Sequence, residues 1–159
     1  MTFQVGAKIA HPLHGAGVIE RVETRRIGGV EREYYVMKIS VGNMDVMIPR
    51  DTCEKVGVRP LMSVEAIEDL FLRIPEMEVT TTANWNKRYR ENMELVKSGD
   101  LLKVSSVIKG LVLREAERGL STGERKVLHS AKQIVLSEVV LSTGITAEEA
   151  EERLNACLY

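Results

Sequence analysis

The 159-residue sequence predicts an α+β chain in two parts, a small β-barrel followed by a compact all-α domain. Three observations predict it. Glycine and proline crowd the first sixty residues, which hold ten of the sixteen in the chain. From Ser63 onward, apolar residues recur at three- and four-residue spacing, in stretches bounded by capping residues and glycines. The composition, 44% hydrophobic and 28% charged, is that of a globular chain with enough apolar side chains for a core.

In the first part, residues 18–26 alternate imperfectly and stop at the turn dipeptide Gly28-Gly29. Residues 33–39 are rich in β-branched and aromatic side chains, which suit a pleated surface. Gly42-Asn43 tolerates positive φ and predicts a tight hairpin into residues 44–48. Strand alternation then puts Met44, Val46 and Ile48 on one face, and Asp45 and Met47 on the other. Short strands joined by tight turns in so little chain predict a barrel of SH3-like or Tudor-like build over residues 1–62.

Residues 63–159 form the helical part. Ser63 caps a helix reaching about Arg73, with Val64, Ile67, Leu70 and Phe71 at helical spacing. Residues 74–83 contain a proline and a β-branched run, and read as a linker. A second helix starts near Asn84 and stops at Ser98-Gly99. Asp100 caps a third, whose stripe is Leu101, Val104, Val107, Ile108, Leu111 and Val112, and Gly119 ends it. Ser121-Thr122-Gly123-Glu124 has the capping-box pattern. Its helix carries Val127, Leu128, Ala131, Ile134, Val135, Glu138 and Val139 to a stop at Gly144. A second capping box, Thr146 with Glu149, opens a last helix that turns Leu154, Cys157 and Leu158 inward.

Most chemistry finds no support in the sequence. No apolar run approaches bilayer length, and the first residues lack a basic start and an apolar signal core, so neither a membrane nor secretion is expected. Cys53 and Cys157 are far apart and outside any metal-spaced pair, which fits structural thiols in a reducing cytoplasm. The stretch His14-Gly15-Ala16-Gly17 offers Gly-x-Gly, but Glu20 stands where a dinucleotide loop needs its third glycine. His11 and His14 lack a third ligand, so no metal is expected. The carboxylates Glu148, Glu149, Glu151 and Glu152 complement the positive end of a helix dipole. No catalytic residue and no cofactor emerge, and the chain is not expected to be an enzyme.

The net charge of −1 is unevenly spread. Residues 1–80 carry a balance of −2, residues 81–133 a balance of +5, and residues 134–159 a balance of −4. In the basic segment lies Asn84-Trp85-Asn86-Lys87-Arg88-Tyr89-Arg90, which holds the chain's only tryptophan. A solitary indole has two readings. It packs into a helical core, or it stands among cations that hold phosphates while the ring stacks on bases. Arg125-Lys126, in the first turn of the helix capped by Ser121, adds a second basic pair beside free backbone amides.

Phe3-x-Val5-Gly6, His14-Gly15-Ala16, Glu23-Thr24-Arg25, Glu33-Tyr34, Val56-Gly57-Val58-Arg59, Asn84-Trp85-x-x-Arg88-Tyr89, Ser98-Gly99-Asp100 and Glu117-Arg118-Gly119-Leu120-Ser121-x-Gly123-Glu124 occur in a specific order and spacing. Across essentially its whole length the chain resembles the CarD/CdnL family of bacterial transcription regulators. The resemblance implies a Tudor-like domain that binds a lobe of the RNA polymerase β subunit. It also implies a helical domain that contacts promoter DNA beside the −10 element, in the cytoplasm at the nucleoid. Carried over residue by residue, the wedge at the upstream edge of the transcription bubble is Trp85. The DNA clamp is Lys87, Arg88, Arg90, Arg125 and Lys126. The polymerase contact centres on Arg25. Family members often place an arginine where this sequence has Met47, so Met47 supplies an apolar contact or Arg26 takes the charged role.

The expected function is stabilisation of the promoter open complex by a polymerase-tethered protein. The alternative is a protein-interaction module of the polymerase-binding type that makes no promoter contact. A monomer is expected, with exposed strand edges making an exchange dimer the alternative.

Overall fold

The structure, a computed structural model, describes residues 3–79 and 83–159. Five strands come first: β1 (Lys8–His11), β2 (Gly15–Ile27), β3 (Val30–Ile39), β4 (Asp45–Pro49) and β5 (Arg59–Pro60). Five helices follow: α1 (Val64–Arg73), α2 (Trp85–Lys97), α3 (Leu101–Arg118), α4 (Thr122–Thr143) and α5 (Ala147–Leu158). The α+β class is as the sequence predicts.

The strands form one antiparallel sheet in the order β4-β3-β2-β1-β5. Its described pairings place β4 and β5 at the two edges. The Gly28-Gly29 turn closes the β2–β3 hairpin between Ile27 and Val30. Asn43, at φ 52°, and Gly42, at φ 89°, make the turn into β4. A bulge between Ile19 and Arg21 shifts the ladder and bends the sheet. Ile9, Ile19, Tyr35, Met37, Ile39, Ile48, Cys53 and Val58 then gather into one apolar core. Burial pushes the Cys53 thiol up, so it stays protonated and inert.

The helices begin where their caps are. The side chains of Ser63, Asn84, Asp100, Ser121 and Thr146 each accept a hydrogen bond from a first-turn amide. The reciprocal capping box forms at Thr146 and Glu149. The predicted linker is partly ordered packing: Ile74–Glu76 makes a 3-10 turn, and Ile74 is completely buried. Residues 80–82 of that linker lie outside the described residues. A second apolar core unites α1 to α5, with Val104, Ile108, Ala131, Val135, Val139 and Leu154 among its buried side chains.

The two cores meet through polar contacts. Gly15, at φ 94°, sits where any Cβ would collide with the Ser137 hydroxyl of α4. That close approach lets the Ala16 amide donate to Ser137 Oγ at 2.8 Å. Gly15 therefore serves helix–sheet packing, and Gly17 a close approach to the β3 backbone at Lys38. Ser40 Oγ donates to the Ser137 carbonyl at 2.6 Å, and Ser142 Oγ donates to the Met62 carbonyl at 2.7 Å. Glu138, in the predicted apolar stripe of α4, is 1% exposed and takes a two-pronged guanidinium from Arg59. The Met62 amide donates to the same carboxylate at 2.8 Å. Helix α4 is thus pinned to the sheet along one face at Ser137 and Glu138.

Candidate nucleic-acid interface

Trp85 opens α2, with Asn84 as its cap. Its indole is 43% exposed, between the two readings of a solitary tryptophan. One ring face lies on Tyr89 a helical turn away, with centroids 5.2 Å apart and planes within 14°. The edge of the indole faces Gly123 at the start of α4, where an added Cβ would come within 3.6 Å of Cζ2. Its Nε1–H donates to Ser121 Oγ at 3.1 Å. Tyr89 itself is half-buried and packs against the helical core. An aromatic side chain is backed by protein on one side and open to solvent on another.

Four of the five predicted clamp cations are exposed: Lys87 and Arg90 on α2, Arg125 and Lys126 on the first turn of α4. Lys87 lies 4.0 Å from Glu91, a weak exposed pair. Among the described residues, Arg90, Arg125 and Lys126 have no ion-pair partner. Ser121 joins the indole to the turn that carries Arg125 and Lys126.

Arg88 is a correction. The resemblance implies that it clasps DNA, but its side chain is buried, 3% exposed. Its Nε donates to Glu124 Oε2 at 2.9 Å, and Nη1 donates to the Ala83 carbonyl at 3.3 Å. The cause is position: Trp85 and Tyr89 already turn this face of α2 toward α4, and the residue between them follows. Arg114 of α3 brings a second guanidinium within 3.8 Å of Glu124. Burial pushes the Glu124 carboxyl up, but the Arg88 hydrogen bond and charge, with help from Ser121, outweigh it and hold it below the usual carboxylate range.

The three residues expected to touch polymerase lie on the sheet, and all are exposed. Register separates them. Arg25 pairs with Arg32, Glu23 with Tyr34, and Arg21 with Val36, while Val36 also pairs with Met47. Paired residues share a face, so Arg25 and Met47 lie on the same side of the sheet, with partners four residues apart on β3. Arg26 pairs with Glu31 and faces the other side. It does not share the face of Arg25 and Met47, where the sequence reading let it stand in for the family arginine. Glu23 accepts from Arg21 at 2.6 Å and from Arg25 at 3.0 Å, giving this face an alternating row of charge.

Sequence reasoning missed Ser121, Glu124 and Tyr89 as parts of this site. Ser121 and Glu124 stood out as a cap, but a cap's second partner lies on another helix, and no local spacing reveals it.

Two family models divide the chain between them. The CarD-like/TRCF RID domain matches residues 3–62, and the CarD C-terminal domain matches residues 69–155. The chain belongs to the CarD family. A relative in Bacillus subtilis (strain 168), named "Putative transcription factor YdeB", is 31% identical over 147 residues, covering 92% of this chain and 96% of that protein. The join between the two matched regions falls where β5 gives way to α1, at the step from the sheet core to the helical core. Among the described residues, no helix of this family member is long and apolar enough to cross a membrane.

Proposed function

We propose that this protein is a transcription regulator whose sheet binds the RNA polymerase β subunit and whose helical part steadies the promoter open complex. The family membership and the name of the Bacillus relative support the transcriptional role. Arg25 and Met47, sharing one exposed face, offer the polymerase a mixed charged and apolar contact. Residues 1–62 and 63–159 act as polymerase-binding and DNA-binding domains held together by α4.

One observation carries the DNA half: an indole backed by Tyr89, open on its other side, at the head of a cationic helix. Such a ring stacks on unpaired or distorted bases at the upstream edge of the bubble, near the −10 element. Lys87, Arg90, Arg125 and Lys126 grip backbone phosphates in closed and open DNA alike, and equal binding shifts no equilibrium. The indole supplies the difference. An aromatic–base contact is worth roughly 1–3 kcal/mol, enough to slow bubble collapse by about tenfold or more. Tethering to polymerase supplies the local concentration that a balance of only +5 over residues 81–133 does not.

The test compares Trp85→Ala with Arg90→Ala on one promoter, reading open-complex lifetime and promoter occupancy separately. Trp85→Ala is expected to shorten the lifetime about tenfold, whereas Arg90→Ala weakens occupancy of closed and open complexes equally. An unchanged lifetime for Trp85→Ala removes the wedge.

A further inference from the structure

Two residues three apart on α2 face two residues three apart on α4. Trp85 Nε1–H donates to Ser121 Oγ at 3.1 Å. Ser121 Oγ also accepts from the Glu124 amide at 3.2 Å, and its own proton points to Glu124 Oε1 at 3.2 Å. Glu124 Oε2 takes the Arg88 Nε–H at 2.9 Å, and Oε1 takes Nη2 at 3.4 Å. Arg88 lies one turn from Trp85 on the same helix. The four side chains close a ring: indole, hydroxyl, carboxylate, guanidinium.

We infer that Ser121, Glu124 and Arg88 are positioning residues that set the orientation of the Trp85 indole before any DNA arrives. The hydroxyl decides the matter. A serine has one proton to give and two lone pairs to offer, and all three are engaged here. Its torsion is therefore fixed, and the indole N–H that binds it cannot swing without breaking that contact. Tyr89 closes one face of the ring, and Gly123, without a Cβ, leaves room beside its edge. Glu124 and Arg88 hold the cap in place from inside, each about 4% exposed at the side chain. An aromatic group held in its working pose loses little freedom on binding, so more of the stacking energy appears as complex lifetime. Arg88 and Glu124 never touch DNA in this arrangement and act only through the ring.

This inference rests on the proposed role of Trp85, and the tests separate the two. Trp85 is the only tryptophan, so its emission reports the ring in the free protein. Ser121→Gly removes the hydroxyl and retains most of the capping preference, because glycine is itself a tolerated cap. Ser121→Thr restores an oxygen. The expected result for Ser121→Gly is lower steady-state anisotropy and acrylamide quenching about twofold stronger, with the open-complex lifetime shortened roughly threefold to tenfold, the range of one hydrogen bond. Ser121→Thr is expected to return both readouts toward wild type. Glu124→Gln, tested alongside Arg88→Lys, is expected to loosen emission in the same direction, with melting curves confirming a folded chain. Unchanged anisotropy and quenching in Ser121→Gly overturn the positioning role even where Trp85→Ala abolishes bubble stabilisation. A loosened indole with an unchanged lifetime overturns it too. An unchanged lifetime in Trp85→Ala instead strikes the wedge itself, and the inference falls with it.

Discussion

Arg59 on β5 and Glu138 on α4 form a two-pronged ion pair, with nitrogen–oxygen distances of 2.7 and 2.8 Å. Arg59 also donates through Nε to the Gly99 carbonyl, at 3.1 Å. One guanidinium thereby ties the last strand to α4 and to the turn between α2 and α3.

Breaking that pair from one side leaves a carboxylate buried without its cation. Arg59→Met is expected to cost about 3 kcal/mol and to lower Tm by roughly 10 °C, measured by calorimetry. The double variant Arg59→Met/Glu138→Leu is expected to recover much of that loss, because an apolar pair needs no desolvated charge. The two mutations are in contact, so their effects do not add.

His11 makes stability depend on pH. Burial first, and then the neighbouring His14 charge, lower its pKa from 6.5 to about 4. The Leu13 amide donates to His11 Nδ1 at 3.1 Å, a bond that only the unprotonated nitrogen can accept. The unfolded chain therefore binds a proton more readily than the folded one. Its stabilisation is complete above about pH 6.5, and is lost as pH falls toward 4. The loss reaches up to about 3 kcal/mol. His11→Asn keeps an acceptor and does not titrate, so Tm plotted against pH is expected to be flatter between these values.

The sheet register makes an asymmetric prediction for adjacent arginines. Arg25→Glu is expected to weaken binding to the polymerase β lobe by about tenfold, as expected for a charge reversed inside an interface. Arg26→Glu, on the opposite face, is expected to change it little. Met47→Arg, on the same face as Arg25, is expected to strengthen binding and make it more salt-dependent. Titration of the isolated lobe at two salt concentrations checks all three.

The cations around Trp85 divide in the same way. Arg90→Ala and Arg125→Ala are each expected to reduce the slope of log affinity against log salt by about 1 on promoter DNA. Arg88→Ala is expected to act on the fold instead, stranding Glu124 and lowering Tm, because its charge is already neutralised indoors. A salt slope that falls in Arg88→Ala without a loss of Tm contradicts that assignment.

Much of the helical part was legible because its signals are local. A capping side chain bonds to an amide two or three residues away, so Ser63, Asn84, Asp100, Ser121 and Thr146 announce helix starts by themselves. The stripe of α4 was legible down to Glu138, whose place among apolar residues marked a buried carboxylate but not its partner, 79 residues earlier. The sheet was harder. Turn residues located its hairpins, but the order β4-β3-β2-β1-β5 and the bulge between Ile19 and Arg21 depend on long-range pairing that alternation does not encode.

The site shows the same division. Composition and order along the chain determined that an indole and a set of cations share one helix, and that a serine and a glutamate open another. Only the tertiary structure decided that Arg88 turns inward to Glu124, that Ser121 holds the indole, and that Met47 shares a sheet face with Arg25. Each of those facts joins segments distant in sequence, through pairing and packing that no local periodicity describes. A charge is worth a grip on DNA or a strut inside the fold according to which partner the packing brings to it.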